Sequence, residues 1–144
     1  MFNDPAFVAT WQPRMLAVLR IVTAYMFLLH GTSKLLGVPH VAMFDNLQLM
    51  SMTGVAGILE LVGGVLLLLG AFTRPVAFVL SGEMAAAYFI GHASRGTPHL
   101  PLLNQGEPAV LYCFIFLYLA VAGAGAWSVD AARGAAPSPA TSMR

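Results

Sequence analysis

Four ionisable side chains, Arg20, Lys34, Glu60 and Glu83, lie within or at the edges of stretches that are otherwise apolar. Glu83 is near the middle of the segment 73–93, which has the composition of a membrane span. A charge at the bilayer centre costs about 2.5–3.5 kcal/mol on insertion scales, so it needs an ionic partner or a wet cavity. Buried charges of this kind support proton transfer, ion pairing or recognition of a polar head group.

Helical periodicity predicts that the first two spans meet through charged faces. One face of the first span carries Arg20, Phe27, Gly31 and Lys34, with His30 at its border. The second span places Glu60 in line with Gly57 and Gly64, and small residues allow two helices to approach closely. We therefore expect the basic face of the first span to pack on this narrow acidic face.

Depth along the helices, at about 1.5 Å per residue, divides the ionisable residues into two groups. Arg20 and Glu83 lie close enough to the midplane to form an ion pair that locks helices one and three together. The second group, further toward the opposite face, is His30, Lys34, Glu60 and Glu107. We predict that this outer cluster binds a quinone head group, passes protons or holds a partner subunit. The alternative is that all these groups serve only to fix the packing of the bundle.

Metal and haem sites are not expected. His30 and His92 differ in depth, and the chain has no HxxxH or ExxH spacing. Cys113 is the single cysteine, so an internal disulfide is excluded and a packing role is favoured. The aromatic residues of the last span are interpreted as packing or interfacial residues: Tyr112, Phe114, Phe116 and Tyr118.

The composition is that of an integral membrane protein. Hydrophobic residues make up 58% of the 144 residues and charged residues 9%, with a mean hydropathy of +0.78. The net charge is +1 and there is no basic block, so nucleic acid is not an expected partner. Because about 20 residues cross the hydrocarbon, we predict an all-α, membrane-embedded, antiparallel four-helix bundle. Its spans are expected near 14–36, 53–72, 73–93 and 107–127.

The distribution of basic residues predicts the orientation. Five of them lie on the side of the termini: Arg14, Arg20, Arg74, Arg133 and Arg144. Lys34 and Arg95 lie on the other side, so the positive-inside rule predicts cytoplasmic termini. We expect a cytoplasmic segment at 1–13, a transmembrane domain at 14–130 and a disordered cytoplasmic tail at 131–144. The short turn after the second span predicts a tight antiparallel hairpin of spans two and three.

Several short motifs in a fixed order resemble the DoxX family of small bacterial membrane proteins. They are Leu19-Arg20, Phe27, His30-Gly31-x-x-Lys34-Leu35, Glu60-Leu61-Val62-Gly63-Gly64, Leu69-Gly70, Thr73-Arg74-Pro75, Asn104-x-Gly106-Glu107 and Gly123-Ala124-Gly125-Ala126-Trp127-Ser128-Val129-Asp130. The resemblance covers roughly residues 14–130. The family pattern often has proline at the position of Ala126 and leucine at that of Val129, departures that leave the helix end in place.

The resemblance implies a four-helix protein of the bacterial inner membrane. The family is named for the small subunit of a thiosulfate:quinone oxidoreductase, and some relatives resemble membrane organisers for a superoxide dismutase and a sulfurtransferase. It implies contact with membrane lipid and a protein partner of the oxidoreductase, sulfurtransferase or superoxide dismutase type. By position it implies a functional polar set: Arg20, His30, Lys34, Glu60, Arg74, Glu83 and Glu107.

Three functions are therefore open. The first is a membrane subunit or anchor of a redox or oxidative-stress complex that contacts quinone. The second is a purely structural or assembly protein without catalytic activity. The third, a small-solute or proton transporter, is disfavoured because four short spans without an internal repeat leave little room for alternating access, which a homo-oligomer would supply.

Overall fold

The computed structural model describes residues 4–134, and within them the chain is helical and contains no strand. The helices are α1 (Pro5–Leu36), α2 (Met52–Leu69), α3 (Thr73–Ala86), α4 (Glu107–Ala122) and α5 (Val129–Gly134). A π-helical turn, Ala87–His92, extends α3, and short 3-10 turns occupy Ala42–Phe44 and Ala93–Arg95. The predicted all-α bundle is confirmed.

Three helical segments are long and apolar enough to cross a membrane: Pro5–Leu36, Met52–Leu69 and Thr73–Arg95. The fourth, α4, is a shorter apolar helix of 16 residues. We call the end of the bundle that holds the start of α1 and α5 the termini end. The opposite end, which holds the connections α1–α2 and α3–α4, is the loop end.

Two helices have ends that differ from those of the predicted spans. Residues 5–13, predicted to precede the first span, form the beginning of α1, because the side chain of Asp4 caps the helix by accepting a hydrogen bond from Ala6 N at 3.0 Å. The last span ends at Ala122 and not at residue 127. Gly123 and Gly125 have positive φ angles of 90° and 70°, which an α-helix does not accommodate.

The prediction of a disordered tail from residue 131 also requires correction. Residues 131–134 belong to α5, whose first turn is tied back to the bundle by a hydrogen bond from Asp130 N to Gly70 O at 2.9 Å. The rest of the predicted tail, 135–144, lies outside the described residues.

Glycines set how closely α1 and α2 pack. A Cβ at Gly31 would overlap the backbone of Leu61, and one at Gly57 would lie 3.1 Å from Cβ of Lys34. Gly64 fits in the same way against Leu28, 3.0 Å from its Cα. The predicted packing of the α1 face on the narrow face of α2 is confirmed, and it is the most extensive helix pairing in the fold together with that of α3 on α4.

The α2–α3 hairpin is tight at its turn but opens toward the loop end. Near the turn, a Cβ at Gly63 would lie 2.8 Å from Cδ2 of Leu80, so the two helices touch there. Beyond this contact they diverge, and a cavity separates their loop-end halves. The hydrophobic core fills the termini half of the bundle with Phe27, Leu67, Leu80, Phe116 and Leu119.

Substitution of Gly31 by alanine tests the close approach of α1 and α2. We expect Gly31→Ala to lower the free energy of unfolding by about 1–3 kcal/mol, because the added methyl group meets rigid backbone. Gly82→Ala is the matched control, since nothing lies within 4 Å of its Cβ position and alanine favours the helix by up to about 1 kcal/mol. Equal stabilities of the two variants in a detergent unfolding assay would contradict the packing.

Candidate functional site

An ion pair between Lys34 and Glu60 is the centre of the candidate site. Lys34 Nζ donates a hydrogen bond to Glu60 Oε1 at 2.6 Å, and the two side chains are only 12% and 4% exposed. The glycines of the α1–α2 contact bring the two helices near enough for this bond. The second carboxylate oxygen, Glu60 Oε2, is buried and has no hydrogen-bond partner within residues 4–134.

Glu83 does not pair with Arg20, so the predicted ion pair is wrong. The guanidinium of Arg20 is fully buried and donates instead to backbone carbonyl oxygens at 2.6–2.9 Å. These carbonyls belong to Leu67, Leu68, Ala124 and Trp127. They can accept because α2 ends at Leu69 and residues 123–128, between α4 and α5, are not helical. Arg20 lies within the first span, as the sequence indicates. The sequence does not show that carbonyl groups at helix ends compete for the donors of its side chain.

Glu83 faces the loop-end ion pair across the α2–α3 gap. Its electrostatic neighbours are Glu60 on α2 and Lys34 on α1. Both carboxylate oxygens of Glu83 are inaccessible to solvent and make no hydrogen bond to any residue that the structure describes. A buried carboxylate without a donor is costly, so Glu83 is a group that holds a proton or receives a ligand.

A lateral cavity joins these charged groups. It has a volume of about 660 Å³ and lies between the loop-end halves of α2 and α3. Lys34, Glu60 and Glu83 form its polar end, and its walls are mostly apolar. The wall residues include Met50, Met52, Val55, Ala56, Leu59, Val79, Met84, Ala87 and Ile90. Since Val55 and Ile90 are about half exposed on the outside of the bundle, the cavity opens toward the lipid.

The π-helical turn of α3 forms part of this cavity. Ala87, Ile90 and Gly91 belong both to the turn and to the cavity wall. A π-helical turn inserts an extra residue into a helix and is common at functional sites. The sequence indicated little of this feature beyond the small residues near Ala87, which leave room beside Glu83.

Of the two remaining members of the predicted outer cluster, His30 lies near the ion pair and Glu107 does not. The ring of His30 packs edge-on against Tyr112, with centroids 6.1 Å apart, and lies within electrostatic range of Lys34. Tyr112 in turn interacts electrostatically with Glu60. Glu107 is exposed at the start of α4 and makes no hydrogen bond or ion pair with the described residues. The structure therefore brings together Lys34, Glu60, Glu83, His30 and Tyr112, and leaves Glu107 outside.

A second group of polar residues, which we call the termini-end assembly, closes the termini end of the bundle. In the sequence these residues are visible only as members of short motifs. Asp130 accepts hydrogen bonds from the backbone N–H groups of Phe72 and Thr73 at 2.9 and 2.8 Å, and so caps α3. Arg74 donates to the carbonyl oxygens of Ala120 and Val121 at the end of α4. With Arg20, these residues satisfy the ends of three helices, which is a structural role.

The loop end is covered by a network around Asn104. The amide of Asn104 donates to Thr97 O at 2.9 Å and to Tyr88 Oη at 3.3 Å, and its side-chain oxygen accepts from Gly106 N at 2.9 Å. Tyr88 Oη donates to Pro98 O at 2.9 Å. These bonds fix the connection between α3 and α4 next to the π-helical turn.

Comparison with known proteins agrees with the motifs. The family model described as DoxX matches residues 15–93. An uncharacterized protein of Haemophilus influenzae is 48% identical over 132 residues, covering 83% of this chain and 91% of the relative. No solved structure matches the chain significantly.

Two more distant relatives carry names that refer to chemistry or location. The Bacillus subtilis protein named "Putative oxidoreductase CatD" is 30% identical over 115 residues, which is 78% of this chain and 82% of the relative. The Escherichia coli protein named "Inner membrane protein YphA" is 29% identical over 126 residues, which is 83% of this chain and 90% of the relative.

Substitution of Arg20 tests the assignment of its partners. Arg20→Lys is expected to lower the free energy of unfolding by about 3 kcal/mol, because lysine leaves carbonyls unpaired at about 1–3 kcal/mol each. The exposed Arg95→Lys serves as the control and is expected to unfold like the wild type. Glu83→Gln is also expected to be at least as stable as the wild type. If Glu83→Gln lowered the free energy of unfolding as much as Arg20→Lys does, the result would support an ion pair between Arg20 and Glu83.

The cap formed by Asp130 predicts a pH dependence. Burial disfavours its charged form, but the hydrogen bonds from Thr73 and Phe72 and the nearby Arg133 outweigh it and lower the pKa of Asp130. The stabilisation is therefore complete above about pH 4, the ordinary carboxyl pKa, and is lost as the pH falls through the lower pKa of the folded state.

Asp130→Asn is expected to reduce this acid sensitivity, and Asp130→Ala to cost about 0.5–2 kcal/mol at neutral pH. Thermal unfolding between pH 2 and about pH 7 measures both effects. An unchanged acid profile in Asp130→Asn would show that another group carries the pH dependence.

Proposed function

Because the chain belongs to the DoxX family, we propose that it is an inner-membrane subunit of a redox or oxidative-stress complex and binds a quinone in the lateral cavity. The names of two relatives, one an oxidoreductase and one an inner membrane protein, support the setting. In the proposed orientation the termini face the cytoplasm, as the distribution of basic residues predicts.

The observation that carries the proposal is the polarity of the cavity. Its mostly apolar walls open to the lipid, its polar end holds one ammonium and two carboxyl groups, and Thr53 is a further polar residue of the lining. The volume of about 660 Å³ falls in the range of roughly 300–1,000 Å³ that is usual for small-molecule sites. A quinone has the matching shape, with a polar ring for the closed end and an isoprenoid tail for the open side.

The side chains at the polar end suit the chemistry of a quinone carbonyl. Lys34 Nζ is a donor, and a protonated Glu83 would be a second one. Reduction of a quinone to a quinol takes up two electrons and two protons, and carboxyl groups at the ring are suitable proton donors. A protein partner, of the oxidoreductase, sulfurtransferase or superoxide dismutase type implied by the family, would exchange the electrons.

An assembly role without quinone is the second candidate, and the termini-end assembly favours it. Arg20, Arg74 and Asp130 use their polar groups to join helix ends. In that case Glu60 and Glu83 would also serve folding, and their substitution would lower protein level and phenotype together. The quinone proposal instead predicts loss of function at normal abundance.

Filling the cavity tests quinone binding directly. Ala56→Phe places a ring in the cavity and is expected to reduce the affinity for a short-chain ubiquinone at least about tenfold, since the ring occupies the ligand volume. Val62→Phe is the matched control, because Val62 is on the same helix, faces outward and does not line the cavity. Binding is measured by the retention of radiolabelled quinone on nanodiscs that contain the protein, relative to empty nanodiscs.

The variant Glu83→Gln is expected to weaken quinone binding less than Ala56→Phe does, because the amide still donates a hydrogen bond. The amide carries no transferable proton. Equal quinone affinities of Ala56→Phe, Val62→Phe and the wild type would rule out this cavity as the site. The assembly role would be favoured if the purified protein carries no quinone and if the variants bring down the same partner proteins in pull-downs as the wild type.

A further inference from the structure

Lys34 lines a second cavity as well as the lateral one. This vestibule has a volume of about 420 Å³ and lies at the loop end, between the end of α1 and the α1–α2 connection. His40 and Asp45 line it and form an exposed hydrogen bond of 2.8 Å, with side chains 68% and 52% exposed. The vestibule is therefore in contact with water, whereas the lateral cavity faces lipid.

The two cavities share Lys34, whose ion pair with Glu60 links the vestibule to the lateral cavity. Lys34 is in the wall of both cavities, and its ammonium also lies 5.8 Å from the ring of Phe44 in the vestibule. Glu60 is 3% exposed and lines the polar end of the lateral cavity. Its Oε2 has no hydrogen-bond partner within residues 4–134. A charged donor and a buried acceptor thus lie between the vestibule on one side and the cavity that Glu83 lines on the other.

Within residues 4–134, the termini end offers no comparable connection. On that side of Glu83 the bundle is filled by Leu67, Leu80 and Phe116, each less than 2% exposed. The contact of Gly63 with Leu80 closes the α2–α3 gap, and the charge of Arg20 lies beyond it. An apolar plug followed by a fixed positive charge opposes the passage of protons.

We infer that the Lys34–Glu60 ion pair relays protons between the loop-end vestibule and the carboxyl group of Glu83. In one transfer, Lys34 Nζ gives a proton to Glu60, and the Glu60 carboxyl group rotates and passes a proton to Glu83. Neutral Lys34 then takes a proton from vestibule water. One proton moves from water to Glu83, and no electron is exchanged. The relay shares the cavity with the proposed quinone site but operates without a ligand.

The groups that face Glu83 are consistent with this direction. α2 contributes Glu60 and α1 contributes Lys34. α4 packs against the other side of α3 and brings Cys113, which contacts Ser81, while its Tyr112 interacts with Glu60 and not with Glu83. Within residues 4–134, Lys34 is therefore the cation through which Glu83 is linked to the vestibule.

Labelling by dicyclohexylcarbodiimide tests the relay, because this apolar reagent enters from lipid and reacts with protonated carboxyl groups. The full chain is reconstituted in proteoliposomes of known orientation, without quinone, and labelling of Glu83 is measured by mass spectrometry. Labelling is expected to rise when the pH is lowered at the loop end and to stay constant when it is lowered at the termini end. Glu83→Gln confirms the labelled position.

Two variants separate a relay from a structural ion pair. Lys34→Arg keeps the positive charge and the bond to Glu60, but a guanidinium does not release its proton, so the response to loop-end pH is expected to be lost in a folded protein. Arg95→Met, a change of an exposed loop-end cation, is expected to retain the response. The relay is overturned if labelling follows the pH at the termini end, if Lys34→Arg responds like the wild type, or if Glu83 is not labelled. Since no quinone is present, none of these results bears on quinone binding.

Discussion

The fold depends on hydrogen bonds to the backbone carbonyl groups that the helices leave unpaired at the termini end of the bundle. Arg20 is buried and forms no salt bridge with the residues that the structure describes, and its donors bind the carbonyls that end α2 and the segment after α4. Arg74 and Asp130 complete the same task for the end of α4 and the start of α3. Because these groups hold all four long helices at one end, α2 and α3 are free to diverge at the other.

Because Arg20 binds helix-end carbonyls at the termini end, Glu83 is available for function. If Arg20 were its counter-ion, Glu83 would be a closed structural pair near the middle of the bundle. Arg20 is instead engaged by backbone, so Glu83 lies in a cavity whose nearest charges are Glu60 and Lys34. The site thus combines a firmly held scaffold with carboxyl groups whose hydrogen-bonding capacity is not used by the protein, as in other sites where ligands and protons are handled.

The sequence was sufficient to predict the parts of the structure that follow from helical periodicity. The stripe from Arg20 to Lys34 and the alignment of Glu60 with its glycines predicted the α1–α2 contact, on which the structure places the ion pair of Lys34 and Glu60. It was insufficient where backbone groups compete with side chains, so Arg20 was given the wrong partner. The cavity could not be predicted either, because it results from the divergence of two helices and a π-helical turn, neither of which has a periodic signature.

The most direct test of the account is photolabelling of the protein in native membranes with an azido-substituted quinone, followed by mass spectrometry of the labelled peptides. The account predicts labels on the cavity walls, at residues 52–60 of α2 and 83–91 at the end of α3. It also predicts that excess unmodified quinone suppresses these labels. Labels confined to the outward faces of α1 and α4, or insensitive to competing quinone, would contradict the assignment of the lateral cavity as a quinone site.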